Sequence, residues 1–177
     1  MEFSDFIKMG KREPELQFLV IGGYAVGAHG HTRSTFDVDF MVCRDERDVW
    51  KIKATECGLK MFAESKSFAQ FAHPEGGEGF DLMFVDASTF DKMFEASGEH
   101  DFEVAKARIP SLDHLLVLKL HALKQCLPHR TSKDAEDVEM LVRRNDVDLN
   151  SPHYEQLFTK HGTSEILETI RQIIRSE

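Results

Sequence analysis

No apolar run in this 177-residue chain approaches the roughly 20 residues that span a bilayer, and residues 1–15 are mixed and polar, without a basic start, an apolar stretch and a cleavage site. Membrane insertion and export are not expected, and the cytoplasm is the expected compartment. Cysteine is scarce: Cys43, Cys57 and Cys126 form no CxxC, and three widely spaced thiols suit a reducing compartment better than a disulfide framework. Positive charge is also short, with 22 Lys and Arg against 31 Asp and Glu for a formal net charge of −9. Phosphate backbones are held by Lys and Arg, so an extended nucleic-acid surface is not expected. Lys124, Arg130, Lys133, Arg143 and Arg144 come nearest to a basic cluster, and at helical spacing they read as a solvated face. The nine histidines include no HExxH or other ligand spacing, which disfavours zinc chemistry; His29, His31 and His73 read as solvated loop residues.

What is present is a globular composition, 41% hydrophobic and 30% charged, in a chain long enough for one domain with a real core. Trp50 and the Phe and Met residues read as core filling, since no aromatic stripe interleaves with a basic patch. Residues 17–23 (QFLVIGG) form an apolar run that stops at paired glycines, the pattern of a buried strand entering a tight turn. A short helix over 24–29 follows, then a strand over 37–42 (DVDFMV) and a helix over 45–56. Further strands are expected over 59–63, 68–72, 79–85 and 104–109, with a helix opened by a box of Ser88 and Asp91. From Pro110 the pattern turns helical, over 111–126, 131–144, 152–160 and 164–175. The last of these is amphipathic through Ile166, Leu167, Ile170, Ile173 and Ile174, and should dock on the body or on a second copy. The expected fold class is α+β: a mixed-sheet core over 1–110 followed by a C-terminal helical layer over 111–177, as one compact unit.

The chemistry lies around the glycine pair. No Gly-Lys-Ser/Thr follows it, and GGYAVG has the wrong spacing for GxGxxG, so neither a Walker loop nor a Rossmann site is indicated. Gly22 and Gly23 nevertheless permit a tight turn that leaves backbone N–H groups uncovered for phosphate. After thirteen intervening residues beyond Gly23 comes Asp37-Val38-Asp39, which places two carboxylates on one strand face. Such carboxylates repel unless a cation sits between them, and hard oxygens suit Mg²⁺. Asp81 adds a third carboxylate inside an apolar strand, where an acid rarely sits without a partner; Asp86, at that strand's end, is the weaker third ligand and fits a helix cap. Three converging carboxylates would suit two-metal phosphoryl transfer.

The helix over 111–126 adds a charge. At about 100° per residue, Lys119 centres on the stripe of Leu112, Leu115, Leu116 and Leu123, while His121 falls on the opposite face and calls for no special role. On the next helix Asp134 lies in the stripe with Val138 and Leu141, and Asp137 beside it. A Lys119–Asp134 bridge between helices and a role in positioning nucleotide phosphates both fit.

With these residues assembled, the sequence resembles the nucleotidyltransferase superfamily with the polymerase-β-like palm. Residues 18–42, from the glycine pair through Arg33 and Thr35 to Asp37 and Asp39, are similar to the GG…R.T.DxD signature of small bacterial members. The helical part, with Lys119, Arg130, Lys133, Asp134 and Asp137, is similar to the AbiEii-like branch, which includes toxins of toxin–antitoxin systems. The resemblance implies that Gly22 and Gly23 hold triphosphate, with Ser34 or Thr35 in place of the serine the family often has after its first glycine. It implies that Asp37, Asp39 and Asp81 hold two Mg²⁺ ions and that Lys119 and Asp134 shape the nucleotide site. The implied reaction moves an NMP from an NTP to a hydroxyl acceptor: RNA, protein or a small molecule. A degenerate relative that binds nucleotide or a protein without turnover is the alternative, and a second copy or an antitoxin are the expected protein partners.

Overall fold

The first 28 residues already depart from expectation. The computed structural model, which describes residues 1–125 and 131–175, opens with a helix α1 (Phe3–Gly10). Phe3, Phe6, Ile7 and Gly10 fall on one buried face at helical spacing, and the Glu2 amide donates to Asp5 Oδ2 at 3.1 Å. The expected first strand shrinks to β1 (Leu19–Val20), and α2 (Gly22–Ala28) starts at the glycine pair itself. Gly22 adopts φ +62°, which turns the chain from strand to helix in a single residue.

The chain divides into two compact units, one formed by residues 1–28 with 32–111, the other by 29–31 with the chain from Leu112 onward. In the first unit β2 (Asp37–Cys43), β3 (Lys60–Glu64), β4 (Phe68–Ala72) and β5 (Gly79–Val85) join β1 in a mixed sheet of order β1-β2-β5-β4-β3. Only β2 and β5 pair in parallel. A single-turn 3₁₀ segment and α3 (Arg47–Glu56) leave β2 and begin the crossover to β5. One face of this sheet is apolar: Val38, Phe40 and Val42 of β2 lie beside Phe80, Leu82 and Phe84 of β5, all buried. Aromatic rings cover it, with Phe6 stacked on Phe80 at 5.0 Å, Phe18 on Phe40 at 4.3 Å, and Trp50 edge-on to both Phe18 and Phe40. Such pairs contribute roughly 0.5–1.5 kcal/mol each beyond their buried area.

After β5, α4 (Ala87–Glu95) is capped by Asp86 rather than by the expected Ser88 box. The Asp86 carboxylate accepts from the Thr89 amide at 3.0 Å and from the Ser88 and Thr89 hydroxyls. A short hairpin follows, β6 (Gly98–Asp101) with β7 (Lys106–Ile109). The expected strand from Val104 begins later because Glu103 turns at φ +66° and leaves Val104 exposed.

The second unit packs α5 (Leu112–Lys124), α6 (Thr131–Arg144), α7 (Pro152–His161) and α8 (Ser164–Arg175) around Leu115, Leu116, Leu120, Val138, Leu141, Phe158, Leu167 and Ile170. Asn145 at the end of α6 donates to the His29 carbonyl at 3.0 Å, which ties residues 29–31 to this unit. Among the described residues no helix is long and apolar enough to cross a membrane. Cys43 and Cys57 are free thiols, and Cys126 and Arg130 lie outside the described residues.

Candidate active site

The polar face of the β2–β5 pair carries the expected carboxylates. Asp39 and Asp81 are direct cross-strand partners, and Asp37 pairs with Gly79 one step nearer the strand starts. Adjacent strands lie about 4.8 Å apart, so the two acids are immediate neighbours on one surface. That surface runs from water into core: Asp37 is exposed, Asp39 half-buried and Met41 fully buried. Like charges directly opposite one another are unfavourable unless a donor or cation lies between them. Gln70 of β4, paired with Asp81 from the other side, supplies one donor, its Nε2 lying 2.7 Å from Asp81 Oδ2.

Glycines make room for these carboxylates. The Ile21 amide donates to the Asp39 carbonyl at 2.9 Å, which brings the start of α2 against β2. A Cβ on Gly22 would overlap the Asp39 carboxylate, and one on Gly79 would overlap that of Asp37. Next to Gly22, a Cβ on Gly23 would stand 2.7 Å from Thr35 Cβ and Oγ1 and 3.2 Å from Arg33 Nη1. Thr35 Oγ1 in turn donates to the Asp37 carbonyl at 3.2 Å, and Ser34 is exposed. Gly22, Gly23, Thr35, Asp37, Asp39 and Asp81 therefore come together in the first unit.

The donor chemistry fits Mg²⁺: hard carboxylate oxygens on neighbouring strands, beside glycines whose missing side chains leave space. Mg²⁺ takes one or two protein carboxylates and fills its remaining positions with water and phosphate oxygens. Among the described residues no three His, Cys, Asp or Glu side chains close into a ready-made metal cage.

In the second unit Lys119 is buried and bridges two acids, with Nζ 2.8 Å from Asp134 Oδ1 and 2.6 Å from Asp137 Oδ2. Two carboxylates share one ammonium, and Asp134 Oδ2 is buried without a hydrogen-bond partner. The expected Lys119–Asp134 pair is present, and Asp137 is its second anion. Of the expected basic face, Lys124, Lys133 and Arg144 are exposed, while Arg143 binds Glu139 and the Ile173 carbonyl.

Two neighbours of the carboxylate site were not assigned from sequence. Gln70 lies at the centre of FAQFA, where alternation puts it on the face opposite Ala69 and Phe71, so its side was legible although its partner was not. Arg33 was visible only as a letter of the signature, and its guanidinium lies near the Gly23 turn. Beside the site, Tyr24 donates to Glu78, and burial together with that acid pushes the Tyr24 hydroxyl well above its ordinary range.

No family model matches the chain, and no curated protein matches its sequence. Solved structures do. The lincosamide antibiotic adenylyltransferase LnuA, with lincomycin bound, is 15% identical and superposes with a TM-score of 0.57, over 84% of this chain and 98% of that one. ANT(2'')-Ia in complex with adenylyl-2''-tobramycin is 17% identical with a TM-score of 0.58, over 98% and 97%. A putative nucleotidyltransferase, TM1012 of Thermotoga maritima, is 13% identical with a TM-score of 0.50, over 76% and 96%. The AbiEii-like branch is not singled out by these neighbours. The mixed sheet, its paired carboxylates and these superpositions agree on one conclusion, that the chain has the nucleotidyltransferase fold.

Proposed function

We propose that this chain is a nucleotidyltransferase that moves an NMP from a Mg²⁺-bound NTP to a hydroxyl acceptor. The observation that carries the reading is the placement of Asp39 beside Asp81 across the parallel β2–β5 pair, with Gly22 against Asp39. Asp37, Asp39 and Asp81 are the residues that would hold Mg²⁺, which when bound neutralises charge on the triphosphate and orients its oxygens. Gly22 and Gly23 let the triphosphate approach backbone N–H groups closely. Asp81 accepts the proton of the acceptor hydroxyl, held for that role by Gln70. The freed oxygen attacks the α-phosphorus in line: one O–P bond forms, the bond to the β-phosphate bridge breaks, and pyrophosphate leaves.

LnuA and ANT(2'')-Ia, whose structures hold an antibiotic and an adenylylated antibiotic, match this chain over nearly their whole lengths. That correspondence in size favours a compact small-molecule acceptor over RNA or protein. The alternative is a relative that binds nucleotide without turnover.

Pyrophosphate release separates the two. The four NTPs, each with Mg²⁺ and a panel of hydroxyl-bearing acceptors, should give acceptor-dependent pyrophosphate with at least one NTP. Mg²⁺-dependent NTP binding with no pyrophosphate from any acceptor would favour the silent relative, and no NTP binding at all would contradict both.

A further inference from the structure

The proposed reaction uses no histidine, yet the helical unit brings two of them together. α5 and α7 lie side by side and run in the same direction. Asp113 in the first turn of α5 meets His153 near the start of α7 at 2.7 Å, and His121 in the last turn of α5 meets His161 at the end of α7. The two imidazoles present ring nitrogens to each other, with His121 Nε2 3.4 Å from His161 Nδ1 and the ring planes 68° apart.

That separation is long for a hydrogen bond, whose N···acceptor distances run from about 2.7 to 3.2 Å. One ring can donate to the other across it, and it is also a separation that a shared metal ion would accommodate. Two nitrogens each about 2.0–2.1 Å from one ion, at the tetrahedral angle, stand about 3.4 Å apart. The local field favours a cation as well, because both histidines lie in the last turns of parallel helices, where unpaired carbonyls carry partial negative charge. Lys124 and Lys160 share those turns, but both are exposed, and their long stems carry the ammonium groups into water. His121 is exposed and His161 partly so.

We propose that His121 and His161 form a two-imidazole surface site for a borderline divalent transition ion of the Zn²⁺ class, joining the C-terminal ends of α5 and α7. Mg²⁺ is excluded by ligand type, since imidazole nitrogen suits Zn²⁺, Cu²⁺ and Ni²⁺ while Mg²⁺ demands oxygen. The site is independent of the carboxylates in the first unit and of the reaction assigned to them.

The test is calorimetric titration of the full chain, without a polyhistidine tag, with Zn²⁺ and separately with Mg²⁺, beside thermal melts. One Zn²⁺ per chain is expected to bind and raise the melting temperature, and a chelator should reverse the rise. His121→Ala and His161→Ala should each weaken Zn²⁺ binding at least about tenfold and abolish the rise, as should the more conservative His121→Gln. His153→Ala, on the same helix as His161, should retain both. Absence of Zn²⁺ binding would overturn the proposal, as would Zn²⁺ binding and stabilisation that persist in both alanine variants, since the ion would then be held elsewhere.

Discussion

A side chain at Gly22 would occupy the space of the Asp39 carboxylate. The backbone there also adopts φ +62°, a conformation that L side chains rarely take. Gly22→Ala therefore meets two obstacles, a left-handed backbone costing roughly 1–2 kcal/mol and an acid that must move aside. The variant is expected to lower the unfolding free energy in urea by at least that amount and to weaken Mg²⁺-dependent NTP binding. Gly27→Ala in the same helix is the control: nothing lies within 4 Å of its added Cβ, so the helix gains roughly 0.4–1 kcal/mol. Equal effects at the two positions would contradict the assigned packing.

Lys119 neutralises two buried aspartates, and removing it takes that positive charge from both. Uncompensated buried charges cost about 3–5 kcal/mol. Lys119→Met should accordingly destabilise the protein strongly in chemical denaturation at pH 7. Combining it with Asp134→Asn and Asp137→Asn should restore much of the loss, because none of the three side chains then carries a charge. A Lys119→Met variant of wild-type stability would show that the cluster is solvated in solution.

The α4 cap should be visible in acid. Asp86 is held down to about 2 by the Ser88 and Thr89 hydroxyls and the Thr89 amide, against an ordinary value of 3.8. A depressed carboxylate contributes stability that is fully present above its unfolded value and lost as pH falls through the folded one. The melting-temperature gap between wild type and Asp86→Ala should stay constant from pH 7 to about 4 and narrow between 4 and 2. A gap unchanged down to pH 2 would mean that the cap does not depend on the charge.

Strong periodic signals were legible in the sequence and weak ones were not. β4 and β5 occupy the expected residues because apolar alternation marks them and polar turns bound them. α8 also matches, with Leu167 and Ile170 buried from its apolar stripe. α1 is not apparent from the sequence although Phe3, Phe6, Ile7 and Gly10 carry helical spacing, since Ser4, Asp5 and Lys8 between them give the segment a polar look. β6 is glycine followed by three polar residues and exists only by pairing with β7. The DxD spacing placed Asp37 and Asp39 on one face, but that Asp81 stands opposite Asp39 rather than a residue away is a matter of strand register, which no local pattern states. His121 was set aside because it lies off the apolar stripe of α5, and its neighbour is 40 residues away on α7.

The central claim is that Asp39 anchors a Mg²⁺-dependent nucleotide site, and the most direct test is the thermal shift by each NTP, with and without Mg²⁺, in wild type and Asp39→Asn. A ligand at 100 times its Kd adds about 2.7 kcal/mol of stability, enough for a clear rise in melting temperature. The account predicts a Mg²⁺-dependent rise with at least one NTP in the wild type, and none in Asp39→Asn, whose unfolding without ligand stays cooperative. An equal rise in Asp39→Asn would contradict it, because the nucleotide would then be held without the carboxylate on which the site is built.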